Sequence, residues 1–261
     1  MKRSFRATLI DAINNHAEDY PNMVVLNADS ARALKLTEFS AEYPDRMFGV
    51  GISEADLVST AAGMATTGLI PIVVGFSMFV SEKPFEQIRQ AIAYPNLNVK
   101  IVATHAGLCV GQDGATHQAL EDIAVMRTLP NFKVFVASDV TETKAAVTAM
   151  LEHDGPAYLR LGRDLAEDIF EGSKTFVPGG ADVLTEGDDV TIAACGLMVE
   201  QALLAASALK KDGINATVIN TYSVKPLPEE LLVAQAKKTG AFVTAEDHSI
   251  IGGLGGAVCE Y

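Results

Sequence analysis

The side chains best suited to chemistry crowd into one stretch, Thr104-His105-Ala106-Gly107-Leu108-Cys109-Val110-Gly111-Gln112-Asp113-Gly114-Ala115-Thr116-His117-Gln118. Two of the chain's 5 histidines fall there, together with Asp113 and three glycines. Imidazole changes charge near neutral pH, so a close pair suits proton exchange, and glycines let backbone approach a ligand closely. The same residues also fit a turn-rich loop whose histidines satisfy backbone carbonyls, although loops carry function disproportionately. Neither histidine has the H-E-x-x-H spacing or another metal pattern, so no metal is expected on this chain.

Three further groups have a chemical and a plain reading. Glu54 follows Gly49-Val50-Gly51-Ile52-Ser53 and opens a helix. An acid in a first turn behind a serine cap gains about 0.3–1 kcal/mol from the helix dipole, which is reason enough for it to be there. Asp56, three residues after Ser53, could close a capping box and leave Glu54 for another role. Phe76 and Phe79 follow an apolar run and are core side chains on spacing alone. Arg160 and Arg163 flank Leu161-Gly162 and read as a solvated pair or as forks for phosphate.

Elements that could position these groups are legible as alternating Val/Ile-rich runs and helical patterns. Strands are expected near Met23–Asn27, Ile70–Val74, Val99–Ala103, Lys133–Val136 and Ala157–Leu161. Helices are expected near Ser4–Asp19, Glu54–Thr67, Pro84–Ala93, Leu120–Thr128 and Thr141–Glu152. Near-continuous apolar strands imply a parallel sheet with helices on both faces, an α/β domain over residues 1–170. In such a sheet, Glu54, Phe76 and the His105–His117 loop all sit near carboxyl ends of strands, where ligands bind. A linker at 171–180 follows, containing Pro178, Gly179 and Gly180. A smaller α/β domain occupies 181–261, with strands near Val190–Cys195, Ala216–Asn220 and Ala241–Ala245 and helices near Val199–Lys211 and Pro228–Lys238. Its helix opening at Gly252–Gly256 meets the end of the sequence at Tyr261, so this domain reads as incomplete.

Composition narrows the function. In 261 residues, 49% hydrophobic and 20% charged, there is enough apolar material for a sizeable core. The formal charge of −13 argues against nucleic acid or an anionic membrane as partner, and an anionic substrate would need a local cation. Cys109, Cys195 and Cys259 are widely spaced, which fits neither a disulfide framework nor a zinc knuckle and points to the cytoplasm. The basic start through Arg6 is interrupted by Asp11, Asn14, Asn15 and Glu18, so it does not read as an export signal. The most apolar stretch, Leu69–Val80, is too short and too broken by Pro71 and Gly75 to span a bilayer.

Taken in order, these segments resemble the C-terminal half of the transketolase family, thiamine diphosphate enzymes. The resemblance rests on G-x-x-E-x-x from Gly51 to Leu57, on Phe76-Ser77-Met78-Phe79, and on T-H-x6-G-x-D-G-x-T-H-Q from Thr104 to Gln118. Leu129-Pro130-Asn131, Arg163 downstream of Pro156, and Glu246-Asp247-His248-Ser249-Ile250-Ile251-Gly252-Gly253-Leu254-Gly255 extend it along nearly the whole chain. It implies the thiamine-diphosphate-binding fold: a pyrimidine-binding domain followed by a transketolase C-terminal domain. The family's G-D-G…N metal-binding pattern does not occur in this sequence. The resemblance therefore implies the second subunit of a split transketolase, whose N-terminal partner chain carries the diphosphate site and Mg2+. A homodimer or heterotetramer working on sugar phosphates, inactive without the partner, is what it leads one to expect.

Under the same resemblance, Glu54 matches the glutamate that hydrogen-bonds the pyrimidine N1′ and favours the imino tautomer. Phe79 would stack on the pyrimidine, with Phe76 in the same pocket and Asp29 near the cofactor. His105 and His117 would bond ketose oxygens and move protons, Asp113 would hold a substrate hydroxyl, and Arg163 would grip a phosphate. The sequence departs from the family at Glu82, where a third aromatic is frequent, and at Ile52-Ser53, where an arginine often stands. Deoxyxylulose-phosphate synthase shares the D-G-x-T-H element, and the β subunit of 2-oxoacid dehydrogenases resembles the chain less fully. A non-catalytic scaffold would be expected to have lost Glu54 or the histidines, and all are present.

Overall fold

A computed structural model describes residues 2–163 and 165–261. In chain order the first part holds β1 (Arg3–Ser4), α1 (Phe5–His16), β2 (Met23–Asn27), α2 (Thr37–Glu42), β3 (Met47–Gly49), α3 (Glu54–Ala65), β4 (Ile70–Phe76), α4 (Phe85–Gln87) and β5 (Lys100–Thr104). It continues with α5 (Asp122–Thr128), β6 (Lys133–Val136), α6 (Val140–Glu152), β7 (Ala157–Arg160) and β8 (Leu165–Ala166). The rest of the chain adds β9 (Asp182–Thr185), β10 (Val190–Ala194), α7 (Met198–Lys211), β11 (Ala216–Asn220), β12 (Ser223–Lys225), α8 (Glu229–Thr239), β13 (Phe242–Ala245) and α9 (Leu254–Glu260).

A seven-stranded sheet runs β12-β6-β7-β5-β4-β2-β3, parallel throughout except for the antiparallel edge strand β12. Its strands are apolar on both faces because alternate residues feed two cores. Met23 and Val25 join α1 and α6 through Leu9, Ile13, Val147 and Met150. Val24 and Leu26 face the other way, onto Leu57, Val58 and Ala61 of α3. The smaller sheet, β13-β10-β11-β9, is parallel except for β9 and packs α7 and α8 on its faces.

Helix α1 starts where the Ser4 hydroxyl accepts from the Ala7 amide, and α6 where Asp139 accepts from the Glu142 amide at 2.7 Å. Strands β1, β3, β8, β9 and β12, of 2 to 4 residues each, escape sequence reasoning. Segments β3 and β12 are 3 residues each, too short to establish a period. Strand β12 follows β11 in the chain yet completes the larger sheet, so the residues beyond 181 are not confined to the smaller one. The helix expected at Pro84–Ala93 is α4 running into a π-helical turn at Ile88–Ala93, after an earlier π turn at Met78–Glu82. The first turn is seated against β4 at Gly75, where a Cβ would come within 2.1 Å of Val80.

Candidate active site

The carboxyl ends of β2, β4, β5 and β7 meet along one rim of the large sheet, with the amino end of α3 beside them. A cavity of about 170 Å³ opens there, lined among others by Asp29, Ile52, Glu54, Phe76 and Phe79. Four of the sequence-derived candidates thus share one pocket. Glu54 is only 5% exposed. Ser53 makes no side-chain cap bond to α3, so the capping account does not describe this helix start. The Glu54 carboxylate instead meets Lys83 Nζ at 2.5 Å. Asp29 takes a left-handed backbone, φ 59°, in a turn where Asn27 Oδ1 accepts from the Ser30 amide.

The π turn swings Phe79 back toward Phe76, and their ring centroids lie 6.2 Å apart in a stacked arrangement. His105 lies against Phe76 at 4.0 Å between centroids, and His117 meets Phe79 edge-on at 5.1 Å. The four rings therefore form one cluster between the pocket and the glycine-rich loop. His105 is 3% exposed and held at φ 57°, a strained backbone for a residue with a side chain. Burial, with Arg6 and Arg163 nearby, pushes its pKa down to about 4, so its imidazole is neutral at physiological pH. Thr104 Oγ1 engages His105 Nδ1 at 2.8 Å and Thr116 Oγ1 engages His117 Nδ1 at 2.9 Å, so each ring is held through its Nδ1.

Asp113 and Arg163 stand together, with Arg163 Nη1 donating to Asp113 Oδ2 at 3.1 Å and to the Val110 carbonyl. They lie outside the lining of the aromatic pocket, and their charges both act on His105. Arg160 is neither solvated nor a phosphate fork: at 5% exposure it bonds Asp122 through Nε at 2.8 Å. Glu82 does not line the pocket, and its Oε1 is buried without a hydrogen-bond partner. Sequence reasoning misses Arg6, which donates to the Ala33 carbonyl at 2.9 Å, keeps a buried unpartnered Nε and adds positive charge near His105. Its only signal is the basic start of the chain, which raises a targeting question rather than a catalytic one. Lys83 is also missed, because no local pattern pairs it with a residue 29 positions earlier.

Residues 1–168 match the family described as transketolase, pyrimidine binding domain, and residues 179–261 match transketolase, C-terminal domain. The chain belongs to the transketolase family. A transketolase structure described as a split gene transketolase, inactive beta4 tetramer, superposes with a TM-score of 0.92 at 45% identity, covering 100% of this chain and 85% of that one. The 6-deoxy-6-sulfo-D-fructose transketolase subunit of Clostridium sp. (strain MSTE9) is 42% identical, over 98% of this chain and 79% of its own length. An apulose-4-phosphate transketolase subunit of Phocaeicola vulgatus is 35% identical, over 99% of this chain and 82% of its own length. Transketolase relatives of this chain thus include subunits whose names carry different sugars. Among the described residues, no cluster of three or more His, Cys, Asp or Glu is placed to hold a metal ion, and no helix is long and apolar enough to cross a membrane.

Proposed function

We propose that this chain is the pyrimidine-binding subunit of a two-chain, thiamine diphosphate-dependent transketolase that moves a two-carbon ketol unit from a ketose phosphate to an aldose. The observation that carries this reading is the buried Glu54 carboxylate on the wall of a cavity faced by Phe76 and Phe79. A flat heteroaromatic ring with one hydrogen-bonding edge fits such a place, so the residues present suit an aminopyrimidine. When bound, thiamine diphosphate supplies the carbon nucleophile and the electron sink for the ketol transfer. Glu54 would hold the hydrogen bond to the ring nitrogen through its Oε1, the carboxylate oxygen that Lys83 does not engage. Phe79 and Phe76 would fix the ring plane and exclude water, with Asp29 at the pocket's edge.

His105 is suited to accept or return a hydroxyl proton as a neutral base, because its low pKa keeps the ring uncharged near pH 7. His117 would work on the opposite side of the same oxygen cluster. Asp113 would hold a substrate hydroxyl, and Arg163, aided by Arg6, would attract the phosphate. The partner chain would supply the diphosphate site and Mg2+, and the assembly would be a heterotetramer built on dimers of this chain. A cytoplasmic setting goes with this reading, on the wide spacing of Cys109, Cys195 and Cys259 in the sequence.

Reconstitution with a chain bearing the G-D-G…N pattern tests the proposal. Ketol transfer is expected from the mixture and not from either chain alone, with calorimetry showing cofactor binding only when both are present. Full activity from this chain alone, or cofactor binding without any ketol transfer, would overturn it.

A further inference from the structure

We infer that Asp247, in the second domain, is a positioning residue that sets the substrate loop of the first domain, an inference that rests on the functional reading above. After β13 the chain runs through Glu246–Ile251 and lies on the loop that carries His105, Asp113 and His117. Asp247 Oδ1 accepts from the Leu108 amide at 3.0 Å, and the Asp247 carbonyl accepts from Arg160 Nη2 at 2.7 Å. The Ser249 amide donates to the Leu120 carbonyl at 2.9 Å on the far side of the loop.

Leu108 is the first residue of a 3-10 turn, Leu108–Asp113, and its amide has no partner within that turn. A carboxylate from another domain satisfies it. Gly107 is what lets the two approach: its φ is 78°, and a Cβ there would stand 2.0 Å from Asp247 Oδ2. The same turn presents the Val110 carbonyl and Asp113, both of which hold Arg163, and then leads through Gly114 to His117. Any shift at Leu108 is therefore transmitted to the groups proposed to grip the sugar phosphate.

The contact is anchored from behind as well. Glu246 accepts from the Leu254 and Gly255 amides at 2.6 and 2.9 Å, fixing the backbone one residue before Asp247. Arg160 in turn is held by Asp122, which also accepts from Ser77, the residue after Phe76. The second domain thereby shares one polar scaffold with both halves of the site, and its bond to Leu108 falls on the substrate half.

The test uses three variants in the reconstituted complex. Asp247→Ala removes the acceptor; Leu108→Pro removes the donor at a first helical position that proline suits; Asp247→Asn keeps an acceptor oxygen. The first two should raise KM for the ketose phosphate about tenfold, leave kcat and thiamine diphosphate affinity within about twofold, and speed hydrogen exchange across residues 106–118, with Asp247→Asn near wild type. Unchanged loop exchange in both, an unchanged KM despite a loosened loop, or cofactor affinity falling in step with KM would overturn the inference. Absence of ketol transfer by the wild-type complex would instead overturn the functional reading, and loop anchoring would then stand or fall on exchange in this chain alone.

Discussion

The two halves of the site are built by different means. The pocket of Glu54, Phe76 and Phe79 sits on a helix start and a strand end, each fixed by the sheet and its two cores. The half that carries Asp113, His117 and Arg163 is a chain of short turns, held by side-chain bonds to backbone and by the second domain. Rigid elements suit a cofactor that stays, whereas a turn held by a few polar bonds suits a substrate that enters and leaves. Substitutions in the first half should therefore strike turnover, and substitutions in the second should strike substrate affinity.

The largest effect is expected at Glu54. Glu54→Gln keeps the shape and the pocket but not the carboxylate, and in the reconstituted complex kcat should fall about 10²–10⁴-fold while the melting temperature changes little. Full activity with saturating cofactor would return Glu54 to a role in the helix start. In the other half, Arg163→Ala should raise KM for phosphorylated substrates about ten- to a hundredfold and spare unphosphorylated donors, since a charge-assisted contact is worth about 1.5–3 kcal/mol. Equal losses on both substrate types would make Arg163 a structural partner of Asp113 and Val110. Arg6→Ala should show the same selectivity with a smaller factor, about three- to tenfold, and should raise the pKa of His105 as one of the two nearby cations disappears. A titration of His105 by NMR that does not move would remove Arg6 from the site.

The same division explains what the sequence made legible. The buried strands β2, β5 and β7 and helices α3 and α6 follow from apolar runs, and α6 also from its Asp139 cap, all local signals. Spacing alone left Glu54 and the two phenylalanines ambiguous, and the family motif singled them out; the structure brings them with Asp29 to one cavity. His105 and His117 are brought to the same aromatic cluster. What the sequence concealed is long-range pairing: Lys83 on Glu54, Arg160 on Asp122, and Asp247 on Leu108. Each joins residues 29 or more apart and depends on how sheets and domains meet. The π turn at Met78–Glu82 was equally hidden, because a helix one residue wider per turn leaves no distinct apolar period.

Glu82, at the end of that π turn, offers the smallest and most specific probe of the border between the halves. Burial, with Glu121 and Asp122 adding negative charge, pushes its pKa from 4.5 up to about 7. The folded chain therefore keeps a proton that the unfolded chain has already lost between those two values. A raised acid contributes its full stability below the unfolded value, and that contribution is lost as pH climbs toward 7. Glu82→Gln removes the ionisation and leaves a neutral side chain of the same length. Its melting temperature should match wild type near pH 4.5 and exceed it near pH 8 by about 2–4 °C, equivalent to ~1 kcal/mol for a partly solvated group. Glu142, also pushed to about 7 by burial despite Lys174 and Ser138, keeps its own pH slope in both proteins, so the difference between them isolates Glu82. A pH-independent gap would mean that Glu82 titrates alike in the folded and unfolded chain, and that the end of the π turn is not held by a retained proton.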